Sequence, residues 1–215
     1  MIVYGYVLSL TQNALSSKDC FMRISVDGLM GVGKSSLCRY LSQYGTMISE
    51  PRLGGFGIGF RSELEYLLAR NSCWRDSTKA KITFYDRSVF TSSVFWLPEY
   101  CYQNLSFDEL RLLMTTKESL LSSTPLPDLV VWLRAPVFTC SRRISERADF
   151  DEDTDIGYLC RLEASYIDEM EHLKSKGVKI LTIDCEQDVY GLERQTFYEN
   201  IYSQILNHLP TDHSC

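Results

Sequence analysis

The sequence predicts a three-layer α/β fold, a five-stranded parallel sheet with helices on both of its faces. Five short β-rich runs alternate with helical segments along the chain, which is the pattern that consecutive β-α-β units produce. One glycine-rich turn, residues 28–36, lies between the first run and the first helix. The chain shows no internal repeat and no low-complexity segment. Together these observations indicate a doubly wound sheet.

Composition narrows the class of ligand. With 215 residues, of which 45% are hydrophobic, the chain is long enough to bury one core. A net charge of -6 argues against a nucleic-acid partner, because phosphate backbones are held mainly by clustered Lys and Arg. The eight cysteines include no C-x-x-C pair, which favours reduced thiols in a cytoplasmic protein over a zinc site or a disulfide framework.

Residues 1–20 are expected to form an extension, and residues 21–215 a single domain. The stretch from Ile2 to Leu10 is apolar, but no basic segment precedes it and no small-residue cleavage site follows it. A run of about nine residues is also too short for a bilayer, which takes about twenty to cross. We therefore expect neither a targeting signal nor a membrane partner.

The glycine-rich turn reads Gly28-Leu29-Met30-Gly31-Val32-Gly33-Lys34-Ser35-Ser36. It fits G-x-x-x-x-G-K-[ST], in which backbone NH groups cradle phosphates, the lysine reaches the β- and γ-phosphates, and the hydroxyl binds Mg²⁺. A strand over 23–26 precedes it, and apolar residues at helical spacing follow it as far as Gly45. Glycines also make ordinary β-α turns, but strand, helix and Lys-Ser together favour a nucleoside triphosphate site.

The remaining elements follow from hydrophobic spacing and capping signals. Further strands are predicted over 46–49, 81–86, 128–133 and 178–184. Helices are predicted over 60–70, 88–102, 106–121, 137–148 and 156–174, and a last helix carries Phe197, Ile201, Ile205 and Leu209. Ser106 and Glu109 form the capping-box pattern at the start of one of them.

Charged residues follow two of the predicted strands. Glu50 comes after the second strand, and Asp86 and Arg87 close the third. Ligands of open parallel sheets bind outside the carboxyl ends of the strands, so these side chains are expected beside the glycine-rich turn. Asp86 would then hold Mg²⁺, and Arg87 would contact a substrate phosphate or hydroxyl. A water-facing Glu50 and a structural Asp86–Arg87 pair are the plainer alternatives.

The helix over 137–148 presents a group of arginines. Arg143 and Arg147 are four residues apart and so share one face, whereas Arg142 lies about 100° round the helix from Arg143. An acidic run from Asp149 to Asp155 follows. Arginines that close over a transferring phosphoryl group would neutralise its charge, which favours a mobile lid. Solvated surface charge is the competing interpretation.

In this order the motifs resemble the deoxynucleoside kinase family, which includes viral thymidine kinases of the same fold. The resemblance covers roughly 23–209 and rests on V-D-G-L-M-G-V-G-K-S-S, S-E-P, D-R-S, P-D-L-V-V-W-L-R, R-R-I-S-E-R-A and I-D-C-E-Q-D. It implies a three-layer P-loop kinase fold with a lid, ATP as phosphate donor and Mg²⁺ as cofactor. It also implies a deoxynucleoside acceptor of the thymidine or deoxycytidine type, and the family is commonly dimeric.

The resemblance also implies roles for individual residues. Glu50 matches the general base for the nucleoside 5′-hydroxyl, and Asp86 and Arg87 match the magnesium-associated carboxylate and the substrate arginine. Arg143 and Arg147 match the lid arginines. The sugar 3′-hydroxyl would be held by Glu152. Phe60 and Arg61 fall where a stacking aromatic and a base-reading amide would sit.

Three departures from the family pattern are visible. Asp149 stands where another lid arginine is usual, so the lid brings less positive charge. Asp86 replaces a glutamate and keeps the charge. The stretch between Glu50 and Asp86 is shorter than is typical. Because that stretch should carry the base-recognition helix, the base preference stays open.

Two other functions remain as alternatives. The E-P-x-x-G-G and D-R motifs also resemble thymidylate kinase, whose acceptor is a phosphate. Ser49 directly before the E-P pair favours a nucleoside, whereas Arg52 keeps the phosphate acceptor open. A P-loop GTPase or regulatory ATPase fits less well, because the sequence has no N-K-x-D and no D-x-x-G after the third strand.

Overall fold

The computed structural model describes residues 21–53, 58–75, 81–147 and 155–209. The predicted extension over 1–20, residues 54–57 after the E-P pair, and both Asp149 and Glu152 lie outside these residues. Five strands form one parallel sheet in the order β2-β3-β1-β4-β5, which confirms the predicted fold class. The strands are β1 Met22–Gly28, β2 Thr46–Ile48, β3 Ile82–Asp86, β4 Leu129–Arg134 and β5 Lys179–Asp184.

The described residues also contain seven α-helices and one 3₁₀-helix. They are α1 Lys34–Leu41, α2 Phe60–Arg75, the 3₁₀-helix Phe90–Phe95, α3 Trp96–Cys101, α4 Phe107–Leu121, α5 Val137–Glu146, α6 Ile156–Ser175 and α7 Gly191–His208. The Ser106–Glu109 capping box is present at the start of α4, as predicted.

Two helix predictions need correction. The single helix expected over 88–102 is a 3₁₀-helix followed by α3. Pro98 lacks an NH group and is tolerated only in a first helical turn, which accounts for an α-helix that begins at Trp96. Helix α2 runs five residues further than predicted, to Arg75. The fully buried Trp74 anchors this extra turn, because its Nε1 donates to the Pro125 carbonyl at 2.9 Å.

The centre of the sheet is mainly apolar, although β1 also buries Ser25 and Asp27. Ile24 and Val26 of β1 and Val130 and Val131 of β4 are all completely buried. A strand covered by helices on both faces requires such a continuous apolar run, and β4 shows it from Leu129 to Leu133. The core therefore holds the central strands rigidly, and with them the loops at their ends.

The strand register brings the predicted polar residues to one edge. Val26 is paired with Asp86 of β3, and Asp27 with Trp132 of β4. The glycine-rich loop leaves β1 at this edge, Glu50 follows β2 and Arg87 follows β3. Parallel strands end together, so all of them border one crevice.

Two observations bear on the environment of the protein. Among the described helices, none combines the length and the apolar character that a membrane crossing requires. Six cysteines in the described segments are free thiols: Cys38, Cys73, Cys101, Cys140, Cys160 and Cys185.

Candidate active site

The glycine-rich loop leaves room for phosphate groups. Gly28 has a φ of +146°, and a Cβ there would lie 2.4 Å from the Leu133 carbonyl oxygen, so only glycine fits. Gly33 has a φ of +108°, yet a Cβ there would meet no atom within 4 Å. The space beside Gly33 is thus open, and the NH groups of the first turn of α1 border it.

Lys34 is buried at the base of this loop. Its Nζ donates to the carbonyl oxygens of Gly28 at 3.0 Å and Leu29 at 2.7 Å. Burial and the nearby Arg87 guanidinium lower the pKa of Lys34 to about 8. An anionic phosphate is a stronger acceptor than a neutral carbonyl and would stabilise the ammonium form.

Ser35 and Asp86 meet beside the loop. The Ser35 hydroxyl donates to Asp86 Oδ2 at 3.0 Å, while Oδ1 of Asp86 is buried and has no hydrogen-bond partner among the described residues. A carboxylate oxygen without a partner next to a hydroxyl fits Mg²⁺, which prefers oxygen ligands. The described segments contain no group of three His, Cys, Asp or Glu side chains placed to hold a metal ion by themselves. Phosphate and water oxygens would complete the coordination.

Asp27 is a buried carboxyl that sequence reasoning missed. Its Oδ1 accepts from the Thr91 hydroxyl at 2.6 Å, and its Oδ2 accepts from the Ser25 hydroxyl. Burial raises the pKa of Asp27. The Thr91 bond ties the 3₁₀-helix after Arg87 to β1, so Asp27 supports the turn that carries Asp86 and Arg87. The signal available in the sequence was an acidic residue directly before Gly28, the first glycine of the motif.

Glu50 lies between two arginines. It accepts a hydrogen bond from Arg70 Nη2 and another from Arg87 Nη1 at 3.4 Å. Burial alone would raise the pKa of Glu50, but the charges of Arg87 and Arg70 outweigh it and lower the pKa to about 2. Arg87 adopts a left-handed backbone with a φ of 66°, a strained conformation that is often found at functional sites.

Arg70 is the second functional residue that sequence reasoning missed. It projects from α2, and its Nη1 donates to the Ser92 hydroxyl at 3.3 Å. The Phe95 ring lies 5.5 Å from the Arg70 guanidinium and 4.7 Å from that of Arg87. The Nε atoms of both arginines and the Tyr166 hydroxyl are buried without a hydrogen-bond partner among the described residues. Buried polar groups rarely stay unpaired, so substrate hydroxyls would be accommodated here.

The rotation of α2 decides which residues face the interior. Arg61 is 77% exposed and pairs with Glu65 at 3.0 Å, so the structure does not bring it to the Glu50 cluster. Phe60 packs partly buried against the core. Glu63 faces inward instead and accepts from Trp96 Nε1 at 3.0 Å. Burial raises the pKa of Glu63 to about 7, and the nearby Glu99 carboxylate adds to this shift.

A cavity of about 220 Å³ lies on the other side of the glycine-rich loop. Arg143 and Arg147 both line it, as expected from their shared helix face, and Arg142 does not. The side chain of Arg147 is exposed and makes no hydrogen bond to a described residue. Arg143 is instead bound to the loop after β5, where Arg142 shares its partner Asp188. The remaining walls include Gly31, Val32, Ser36, Gln187, Tyr190 and Tyr198.

A phosphate loop after the central strand β1, with carboxylates at the carboxyl ends of β3 and β2, defines the class of P-loop kinases. The family model for deoxynucleoside kinases matches residues 58–210, more than half of the chain. The chain therefore belongs to the deoxynucleoside kinase family.

Solved structures show the same fold at low sequence identity. Deoxyadenosine kinase from M. mycoides with bound dATP superposes with a TM-score of 0.73 at 19% identity, over 86% of this chain and 100% of that chain. The same enzyme with the products dCMP and a flexible dCDP, and with dCTP, gives TM-scores of 0.69 at 20% identity over the same shares. No curated protein matches the sequence.

Proposed function

We propose that the protein transfers a phosphoryl group from ATP to the 5′-hydroxyl of a deoxynucleoside of the thymidine or deoxycytidine type. The observation that carries this proposal is the grouping of Glu50, Asp86 and Arg87 at one sheet edge beside the phosphate loop. Oδ1 of Asp86 and Nε of Arg87, both in this group, are buried without a hydrogen-bond partner among the described residues. A carboxylate that can accept a hydroxyl proton thus lies next to a site for the triphosphate.

The chain's own groups divide the work. The loop NH groups and Lys34 would hold the donor phosphates, while Ser35 and Asp86 would hold Mg²⁺. When bound, the ion neutralises charge on the phosphates. Arg147, whose guanidinium has no partner among the described residues, would meet the charge that develops on the transferred group. Glu152 remains the predicted ligand of the sugar 3′-hydroxyl.

Glu50 would act mainly by orientation. With a pKa near 2 it is ionised at neutral pH but is a weak base. Phosphoryl transfer passes through a loose transition state, in which the attacking hydroxyl needs correct placement more than early deprotonation. Glu50 would therefore accept a hydrogen bond from the 5′-hydroxyl first and take its proton late. Arg87 would hold the same oxygen from the other side.

The base would contact the inward face of α2 and α3. Glu63 lies seven residues before Arg70, two helical turns away on the same face, and the fully buried Trp96 fixes its carboxyl group through Nε1. A protonated Glu63 has one donor and one acceptor oxygen, like an amide. It could therefore pair with the edge of cytosine or of thymine. Phe60 and Arg61, the predicted base contacts, are not favoured by their positions.

A deoxynucleoside monophosphate is the second candidate acceptor, because Arg70 adds a cation that the sequence did not reveal. Two arginines could bind an acceptor phosphate. Both, however, already pair with Glu50, whose negative charge would oppose a phosphate in the same place. Arg52, which kept this alternative open, is exposed. The geometry therefore favours the nucleoside.

Labelled ATP with thin-layer separation of products tests this proposal. The purified chain is incubated with thymidine, deoxycytidine, deoxyadenosine and the corresponding monophosphates. Transfer of label to thymidine or deoxycytidine supports the proposal, and transfer to deoxyadenosine alone would contradict the proposed base. Transfer to monophosphates alone would support the second candidate instead. Release of inorganic phosphate without any labelled nucleotide product would contradict both.

A homodimer is part of the same proposal. Helix α4 exposes three large apolar side chains, Phe107, Leu112 and Met114, which supports a partner surface on this helix. Light scattering coupled to size exclusion would give twice the 24.8 kDa chain mass for a dimer. A monomeric mass at micromolar concentration would contradict it.

A cytoplasmic location is also part of the proposal, and the free thiols of the described segments agree with it.

A further inference from the structure

The loop that joins β5 to α7 is curled around one arginine. Nη2 of Arg143 donates to the carbonyl oxygens of Cys185 at 2.8 Å, Glu186 at 3.1 Å and Gln187 at 3.2 Å. Its Nε donates to Asp188 Oδ1 at 2.8 Å. Four consecutive loop residues therefore accept hydrogen bonds from one side chain.

These hydrogen bonds hold the Arg143 guanidinium against the loop. The Arg143 side chain is only 14% exposed, and the two protons of Nη2 are shared among three carbonyl groups. Consecutive carbonyls converge on one point only if the backbone is tightly curved. Helix α5, which carries Arg143, thus determines the shape of residues 185–188.

The same loop forms a wall of the 220 Å³ cavity. Gln187, Asp188, Val189 and Tyr190 line it from one side, and Gly31–Gly33 of the phosphate loop line it from the other. A triphosphate held at the phosphate loop would place its base and sugar in this cavity. The backbone of this loop carries hydrogen-bond groups that could distinguish one base from another.

We infer that Arg143 is a positioning residue that shapes the wall against which the base of the phosphate donor binds, and thereby sets donor affinity and donor choice. This inference rests on the proposed function, in which ATP occupies the cavity. It separates Arg143 from Arg147, although both were expected to act on the transferred phosphoryl group. The side chain of Arg147 is exposed and makes no comparable hydrogen bonds to the described residues.

The test compares Arg143→Ala with the matched control Arg142→Ala. Arg142 bonds the same carboxylate, Asp188, at 2.5 Å but reaches none of the three carbonyls. Calorimetric titration with ATP should show a Kd raised about tenfold or more in Arg143→Ala, since charged hydrogen bonds to the loop are lost. With saturating ATP, kcat should stay within about threefold. The ratio of kcat/KM for ATP to that for GTP should fall toward one. Arg142→Ala should leave all three quantities within about twofold.

Two further variants keep the inference falsifiable. Arg143→Lys retains the charge but cannot bond carbonyls and Asp188 together, so it should behave like Arg143→Ala. Full recovery by lysine would show that charge alone matters and would overturn the inference. If Arg143→Ala does not fold, Asp188→Asn provides the test. It should raise the KM for ATP by a smaller factor and leave kcat nearly unchanged.

A loss of kcat with unchanged ATP affinity would assign Arg143 to the phosphoryl group and also overturn the inference. So would a raised Kd with the donor ratio unchanged. The proposed function fails separately: the wild-type chain would then bind ATP in the titration but phosphorylate no nucleoside.

Discussion

The two sides of the phosphate loop differ in how their polar groups are paired. The donor side is the cavity lined by Arg143 and the loop after β5, and the acceptor side is the cluster around Glu50. On the donor side, Lys34 bonds two loop carbonyls and Arg143 bonds four residues of the neighbouring loop. On the acceptor side, Nε of Arg70, Nε of Arg87 and the Tyr166 hydroxyl are buried with no partner in the described segments. Protein groups thus occupy Lys34 and Arg143 on the donor side, whereas on the acceptor side the Glu50–Arg70–Arg87 ion pairs leave polar atoms that substrate groups would complete.

This difference determines what a substitution should do on each side. Loss of a partnered donor-side cation leaves the fold's own acceptors unsatisfied and removes a prebuilt contact to phosphate. Loss of an acceptor-side group disturbs the Glu50–Arg70–Arg87 ion pairs and removes a contact to substrate. Variants of the partnered cations Lys34 and Arg143 should therefore change ATP binding, and acceptor-side variants should change nucleoside binding or kcat.

The largest effect is expected for Lys34→Ala. The ammonium would leave its two carbonyls for the β- and γ-phosphates, and its loss should lower turnover by at least about 10³-fold. Circular dichroism should still show a folded chain, because the sheet does not depend on this side chain. Activity near that of the wild type would refute the assignment of the phosphate loop.

Arg147→Ala should come next. Its guanidinium is exposed and would act when charge develops on the transferred group, where such arginines can be worth roughly 10³-fold. Initial-rate kinetics should show kcat and kcat/KM lowered together, with nucleoside affinity unchanged. A rise in KM without a fall in kcat would place Arg147 in ground-state binding instead.

The donor side was largely predictable from the sequence, and the acceptor side was not. The phosphate loop is one contiguous motif whose backbone the glycines and Lys34 determine locally. On α2, each residue turns the helix by about 100°, so an offset of two residues replaces an outward Arg61 by an inward Glu63. No local signal sets that rotation.

Contacts between distant segments were equally hidden. Arg70 reaches Glu50 across 20 residues, and Arg143 reaches the loop after β5 across more than 40. Helix spacing predicted which face Arg143 and Arg147 share, because that is a local property. It could not show that Arg143 is bound to a loop. Glu152 lies outside the described residues and stays a prediction.

Glu50→Gln probes the acceptor side directly. An oriented carboxylate that takes a proton contributes about 10²- to 10⁴-fold, so kcat should fall by at least about 10²-fold while the Kd for ATP changes little. Because the pKa of Glu50 is about 2, the wild-type rate should show no loss from this group as pH falls to about 5. Equal losses in kcat and in ATP binding would make Glu50 structural.

Glu63→Gln should have a smaller and pH-dependent effect. The groups that face Glu63 are Arg70 on α2, Arg87 after β3, and Trp96 and Glu99 on α3. With a pKa near 7, Glu63 loses its donor as pH rises through 7, so the wild-type KM for the nucleoside should rise severalfold between pH 6 and 8. Glutamine keeps a donor at every pH, so the KM of the variant should stay flat.

The pH dependence of stability tests the raised pKa of Glu63 independently of activity. A carboxyl whose pKa is raised on folding stabilises the protein below its unfolded pKa, and this contribution is lost as pH rises through about 7. Glu63→Gln should therefore raise Tm relative to wild type more at pH 8 than at pH 5. A difference in Tm that does not depend on pH would contradict the raised pKa.

The smallest effect is expected for Arg142→Ala, on the donor side. Arg142 pairs with Glu146 at 2.8 Å and with Asp188, but it lies outside the cavity walls, and its side chain is 38% exposed. Exposed ion pairs contribute little, because water solvates the separated charges well. Asp188 would keep its bond to Arg143, so the loop should hold its shape. Kinetics should give kcat/KM within about twofold of wild type. A loss as large as that of Arg147→Ala would mean that Arg142 faces the phosphoryl group and that the two faces of α5 have been assigned in the wrong order.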